Sequence, residues 1–129
     1  MTDKQSTEKQ LTLVQEAPIP FLEGPSDAPF MHRVEDVRSI LEECFFHRVT
    51  AVLLYSPNLT QRFFDLSSGE AGEILQKLFQ YGIRLAIVSL PGAPQPSKRF
   101  GEFMAEEASR RRVALCDSAH AARAWIEDI

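Results

Sequence analysis

The chain has 129 residues, with 44% hydrophobic and 25% charged side chains, a balance that lets apolar burial offset the entropy of ordering the backbone and excludes a wholly disordered chain. At 14.6 kDa it suits one domain, read as residues 11–129 behind a flexible polar tail, residues 1–10. A net charge of −4 and a pI near 5.4 exclude an electrostatic pull toward phosphate backbones or anionic membranes, so nucleic acid and membrane are not expected partners.

No apolar run approaches the ~20 residues of a membrane span, and Met1 to Gln10 lacks the apolar core of a secretory signal. Leu11 to Glu16 alternates like a short half-buried edge strand. The next stretch holds Pro18, Pro20, Pro25 and Pro29, which argues against a central strand; Ile19 to Leu22 reads as an edge strand or loop. From Val34 the period changes. Val34, Val37, Leu41, Cys44 and Phe45 form a stripe with charged residues opposite, predicting an amphipathic helix that ends near His47.

Ala51 to Tyr55 (AVLLY) is apolar without alternation and precedes Ser56-Pro57-Asn58, as in a strand covered on both faces. Ser67 to Glu70 has capping-box spacing, in which the Ser67 hydroxyl bonds the amide three residues on and Glu70 reaches back. The helix so begun carries Ala71, Ile74, Leu75, Leu78 and Phe79 inward, and Gly82 supplies its left-handed end. Leu85 to Leu90 is a second doubly buried strand. Ser97 caps a helix burying Phe100, Phe103, Met104 and Ala108. Val113 to Cys116 is a last strand, and Ser118 caps a helix whose face is Ala122, Trp125, Ile126 and Ile129. Alternating strands and helices predict an α/β fold: a mixed, mostly parallel sheet of four or five strands with four helices, its N-terminal strand antiparallel at an edge.

The cysteines, Cys44 and Cys116, sit in apolar runs without CxxC or Cys–His clustering, and read as buried thiols in a reducing cytoplasm. His32, His47 and His120 lack metal-ligand spacing, and GxSxG, GxxxxGK[ST] and GxGxxG are absent from the sequence, so no catalytic residue, metal or cofactor is assigned. Asp117, Ser118 and His120 are the residue types of a hydrolytic triad but are too close together in one turn to adopt its geometry. Arg110 to Arg112 follows Glu106 and Glu107, and the pairs Glu106–Arg110 and Glu107–Arg111 predict a self-paired, solvated face.

In a parallel sheet the functional crevice lies at the carboxyl ends of the strands, here the loops Ser56 to Ser68, Ser89 to Ser97 and Asp117 to His120. Helix N-termini there favour an anion, with Ser67, Ser68, Ser97 and Lys98 as donors. Each serine also reads as a plain cap worth about 1 kcal/mol. Asp65 reads as an acceptor for loop amides or a cation ligand.

Phe63 to Val88, FFDLSSGEAGEILQKLFQYGIRLAIV, resembles a bacterial family, Domain of Unknown Function 4180, whose pattern has FFDL, a small hydroxyl residue before Gly, AGE-LQK and a strand like LAIV. The resemblance runs from about Leu11 to the end. It departs at Ser89-Leu90-Pro91, where the family often has an acidic residue and glycine, and at Ala108 or Ser109, where it has Asn. The same segment looks more distantly like STAS domains of anti-sigma-factor antagonists, in which Asp-Ser-Ser-Gly starts a helix and the first serine is phosphorylated. Ser67 takes that serine's place, Ser68 the next and Gly69 the glycine; Leu66 stands where the Asp would be, with Asp65 one residue early.

The resemblance implies a STAS-like fold and a cytoplasmic, non-enzymatic regulatory or interaction module, whose partner is another protein or a second copy. Its surface would comprise Asp65, Ser67, Ser68, Gly69 and Gly72. The alternative is a binder or enzyme for an anionic small molecule held by Ser68, Ser97, Lys98 and Asp117.

Overall fold

The computed structural model describes residues 11–94 and 96–128; the N-terminal tail and Ile129 lie outside them. Among the described residues the strands are β1 (Thr12–Val14), β2 (Phe21–Glu23), β3 (Ala51–Tyr55), β4 (Arg84–Val88) and β5 (Val113–Cys116). The helices are α1 (Val37–His47), α2 (Glu70–Gln80), α3 (Lys98–Ser109) and α4 (Ala119–Glu127). The sheet follows chain order, β1-β2-β3-β4-β5, with β1 antiparallel to β2 and every other pair parallel. This is the α/β fold expected.

Successive crossovers of one hand that step the same way across a sheet put their helices on the same face. Accordingly α1, α2 and α3 bury Ile40, Cys44, Ile74, Leu78, Phe100 and Met104 against Val52, Leu54, Leu85 and Ile87. The opposite face, Phe21, Leu53, Tyr55, Ala86 and Val88, takes Ala122 and Ile126 of α4. β3 is buried along its whole length, which explains its unbroken apolar sequence.

α4 is fastened by two arginines, one at its C-terminal end and one at its middle. Arg84 donates to the carbonyls of Trp125 (3.0 Å) and Ile126 (3.1 Å), satisfying the orphan acceptors of the helix end, and its guanidinium lies 4.3 Å from the Trp125 ring centroid. Arg123 reaches β2, where it pairs with Glu23 at 2.9 Å.

Several expectations are corrected. β2 lies between β1 and β3, a central place that the prolines seemed to forbid. It fits because Pro20 precedes it and Pro25 follows it, so all three strand residues keep their amides. The first helix opens with a 3₁₀ turn, Val34–Asp36, and becomes α-helical at Val37. Ile40 is fully buried, whereas Phe45 is 54% exposed, so the apolar stripe is rotated from the one predicted. Ser67 does not cap α2. The left-handed residue before α2 is Gly69, φ 78°, and the Ser67 hydroxyl donates instead to Asp65. The α3 helix ends at Ser109, and Arg111 at φ 60° leaves the helical register. Only the Glu106–Arg110 pair forms as predicted; Arg111 turns to Asp128 and Arg112 to Glu107.

Candidate functional site

The carboxyl ends of β2, β3 and β4 are tied together by two buried polar side chains. Asn58, fully buried, accepts from the Tyr55 amide (2.7 Å) and donates to the carbonyls of Pro25 and Ala28 (2.8 Å for the latter). Ser56 accepts from the Leu90 amide at 3.0 Å. A short polar side chain after a strand can mimic a backbone turn in this way. The loops after three strands therefore form one unit on which the following turn is built.

That turn starts at Thr60, whose hydroxyl accepts from the Phe63 amide (3.2 Å) and donates to Glu70 (2.7 Å). Glu70 is a buried carboxylate at the first position of α2, where the helix dipole favours negative charge, and Arg62 Nε lies 3.4 Å from it. Phe63 and Phe64 point inward and pack with Phe100, with ring centroids 5.3–6.0 Å apart. This aromatic cluster seats the loop on α3.

Asp65, Ser67, Ser68 and Gly69 are brought together beyond it. Asp65 accepts from the Ser67 amide (3.2 Å) and hydroxyl (2.7 Å), bearing out its reading as a loop cap. Ser68 accepts from the Glu70 amide (3.1 Å) and donates to the Arg62 carbonyl (2.6 Å). So the serine that serves the helix is Ser68, while Ser67 is exposed and its hydroxyl bonds only a neighbouring carboxylate. A shallow depression of about 360 Å³ opens beside the turn, lined by Arg62, Phe64, Asp65 and Pro94.

The remaining candidates are not joined to this turn by any hydrogen bond among the described residues. Ser97 caps α3 through the Phe100 amide (3.1 Å) and Lys98 follows it, exposed. Asp117 is exposed at the end of β5, and Ser118 caps α4 through the Ala121 amide (3.1 Å); among the described residues no hydrogen bond joins Asp117, Ser118 and His120. Gly72 lies on the α2 flank that lines a groove with Phe79 and Phe103. Cys44 is buried and Cys116 half-buried, both as free thiols. Burial, and then Glu43, pushes the Cys44 thiol up to about 12; burial and Asp117 raise that of Cys116.

Sequence reasoning missed a polar cluster on the α4 face. The Tyr55 hydroxyl donates to Glu23, whose other oxygen takes Arg123. The one signal in the chain was a glutamate in an otherwise apolar FLE strand. Burial, followed by the Glu23 hydrogen bond and charge, pushes the Tyr55 phenol up to about 12. A folded-state value above the unfolded ~10 stabilises the fold fully below pH ~10, and that contribution is lost as pH rises toward 12. In Tyr81→Phe, where Tyr55 is the sole tyrosine, phenolate absorbance is expected to appear near pH 12. A midpoint near ~10 would remove this account.

The searches of curated proteins and of solved structures returned no match. The family described as "Domain of unknown function (DUF4180)" matches residues 16–126, a span that holds β2 to β5, the Asn58 knot and the Asp65–Gly69 turn. The chain belongs to that family.

Proposed function

We propose that the protein is a non-enzymatic regulatory module of STAS-like type, acting in the cytoplasm, that docks a protein partner through the Asp65–Gly69 turn and the start of α2 as far as Gly72. The observation that carries this reading is the Ser67 hydroxyl. It is exposed, it sits one turn before a helix, and it bonds Asp65 rather than a helix amide. Such a group is free to change state without uncapping α2. A phosphate there would set a dianion against the Asp65 carboxylate and open the turn, while the α2 N-terminus accommodates the added charge.

Two measurements test the reading. Ser68→Ala should lower stability by about 1 kcal/mol, as loss of an N-terminal helix acceptor does, and Ser67→Ala by less than about 0.5 kcal/mol. The reverse order would return Ser67 to a structural role. Native mass spectrometry of protein from its own host should show an added mass of about 80 Da that disappears in Ser67→Ala. Ser67→Asp and Gly72→Arg should each lose a partner that wild type retains in pull-downs; unchanged partners in both would sink the proposal.

A further inference from the structure

The α1–α2 face carries a second surface, on the opposite flank of α2 from Gly72. A groove of about 410 Å³ runs between the helices, with Leu41 in its floor and Phe45 and Tyr81 at one end. These two rings meet edge to face at 5.4 Å and remain 54% and 49% exposed. A contiguous exposed aromatic pair in a charged rim is characteristic of an interaction surface.

The rim charges identify what covers it. α1 presents Arg38 and Glu42, and α2 presents Glu73 and Lys77, each an exposed pair of opposite sign four residues apart; the turn before α1 adds exposed Glu35. Elsewhere on the surface such pairs close within the chain, as Glu43 with His47 and Glu106 with Arg110 do. Among the described residues, none of Arg38, Glu42, Glu73 and Lys77 has an ion-pair partner in its own chain.

A pair of opposite charges on one helix is complementary to itself when that helix meets its own copy antiparallel. Both helices precede a strand of the parallel sheet, so they run alongside each other in the same direction. A two-fold axis lying in the face, across both helices, stacks α1 on α1 and α2 on α2, each antiparallel. The midpoint of Arg38 and Glu42 falls at Ile40, and that of Glu73 and Lys77 at Leu75. Counted back five residues along each chain from the Phe45–Tyr81 ring contact, Ile40 corresponds to Gln76. One axis therefore serves both pairs to within one residue, a rise of ~1.5 Å. It aligns four ion pairs across the centre and lays each Phe45–Tyr81 pair over the turn at Val34 of the second copy.

We propose that the α1–α2 face is the interface of an isologous homodimer, a surface and a partner separate from those assigned to the Asp65–Gly72 edge. The full chain should be dimeric by native mass spectrometry and sedimentation, with an affinity that falls as salt rises. Arg38→Glu and Glu42→Arg should each weaken the dimer more than about tenfold, because like charges then face each other. Their equimolar mixture should form the mixed dimer, and the double variant Arg38→Glu/Glu42→Arg should dimerise as wild type does. Circular dichroism confirms that each exposed-site variant is folded. A monomer at all concentrations, single reversals that dimerise normally, a mixture that stays monomeric, or a monomer that instead seats a foreign helix there overturns the proposal. Partner retention at Ser67 and Gly72 is read separately in pull-downs, so neither result decides the other.

Discussion

Asn58→Ala is expected to destabilise the protein by about 4 kcal/mol, since each buried backbone group left without a partner costs ~1–3 kcal/mol. The side chain is fully buried and serves the Tyr55 amide and the carbonyls of Pro25 and Ala28. Alanine deletes all of these bonds. For a domain whose total stability is of order 5–15 kcal/mol, such a loss removes roughly a quarter to four-fifths of it. Asn58→Asp keeps an acceptor for Tyr55 but loses both donors, and should fall between alanine and wild type. Gly24 belongs to the same knot: a Cβ there would stand 2.4 Å from Asn58 Oδ1, so Gly24→Ala displaces the asparagine. Urea unfolding checks the series, and a loss below about 1 kcal/mol for Asn58→Ala would mean that the loops hold without the side chain.

Phe63→Ala should cost about 3–5 kcal/mol, the usual range for deleting a fully buried aromatic ring. Its ring touches both Phe64 and Phe100 and is wholly excluded from solvent. The cavity lies directly beneath the segment that carries Asp65 and Ser67, so this substitution should loosen the turn as well as the core. Phe63→Leu retains most of the volume and should cost less than half as much. Phe46→Ser is the control: at 79% exposure it should shift stability by less than about 0.5 kcal/mol. Equal urea midpoints for Phe63→Ala and Phe46→Ser would contradict the packing described.

The two results share a cause in how the site is built. Phe63 and Phe64 read from the sequence as core and lid residues, and Phe63 is core. Asn58 was not legible there, because it stands in Ser-Pro-Asn, which reads as an ordinary turn, and its carbonyl partners lie about thirty residues upstream. The same holds for Ser67 and Ser68. Spacing alone made Ser67 the helix cap, but Gly69 adopts a left-handed conformation, which shifts the start of α2 and hands the Glu70 amide to Ser68. The glutamate expected to close a capping box is drawn inward by Thr60 and Arg62.

Local rules were sufficient for several elements whose signal and partner lie within a few residues. They placed β3 at Ala51–Tyr55, β5 at Val113–Cys116, the Ser97 and Ser118 caps and the left-handed Gly82, because strand burial, cap geometry and positive φ are dictated by the immediate sequence. Tertiary structure decided the central position of β2, the Glu23–Tyr55–Arg123 cluster and the meeting of Phe45 with Tyr81 across α1 and α2. Each of these depends on groups distant in the chain, as far as Glu23 is from Arg123. Such distant pairings leave no periodicity in the sequence; they arise only when crossovers of one hand bring the strand ends and helix flanks together.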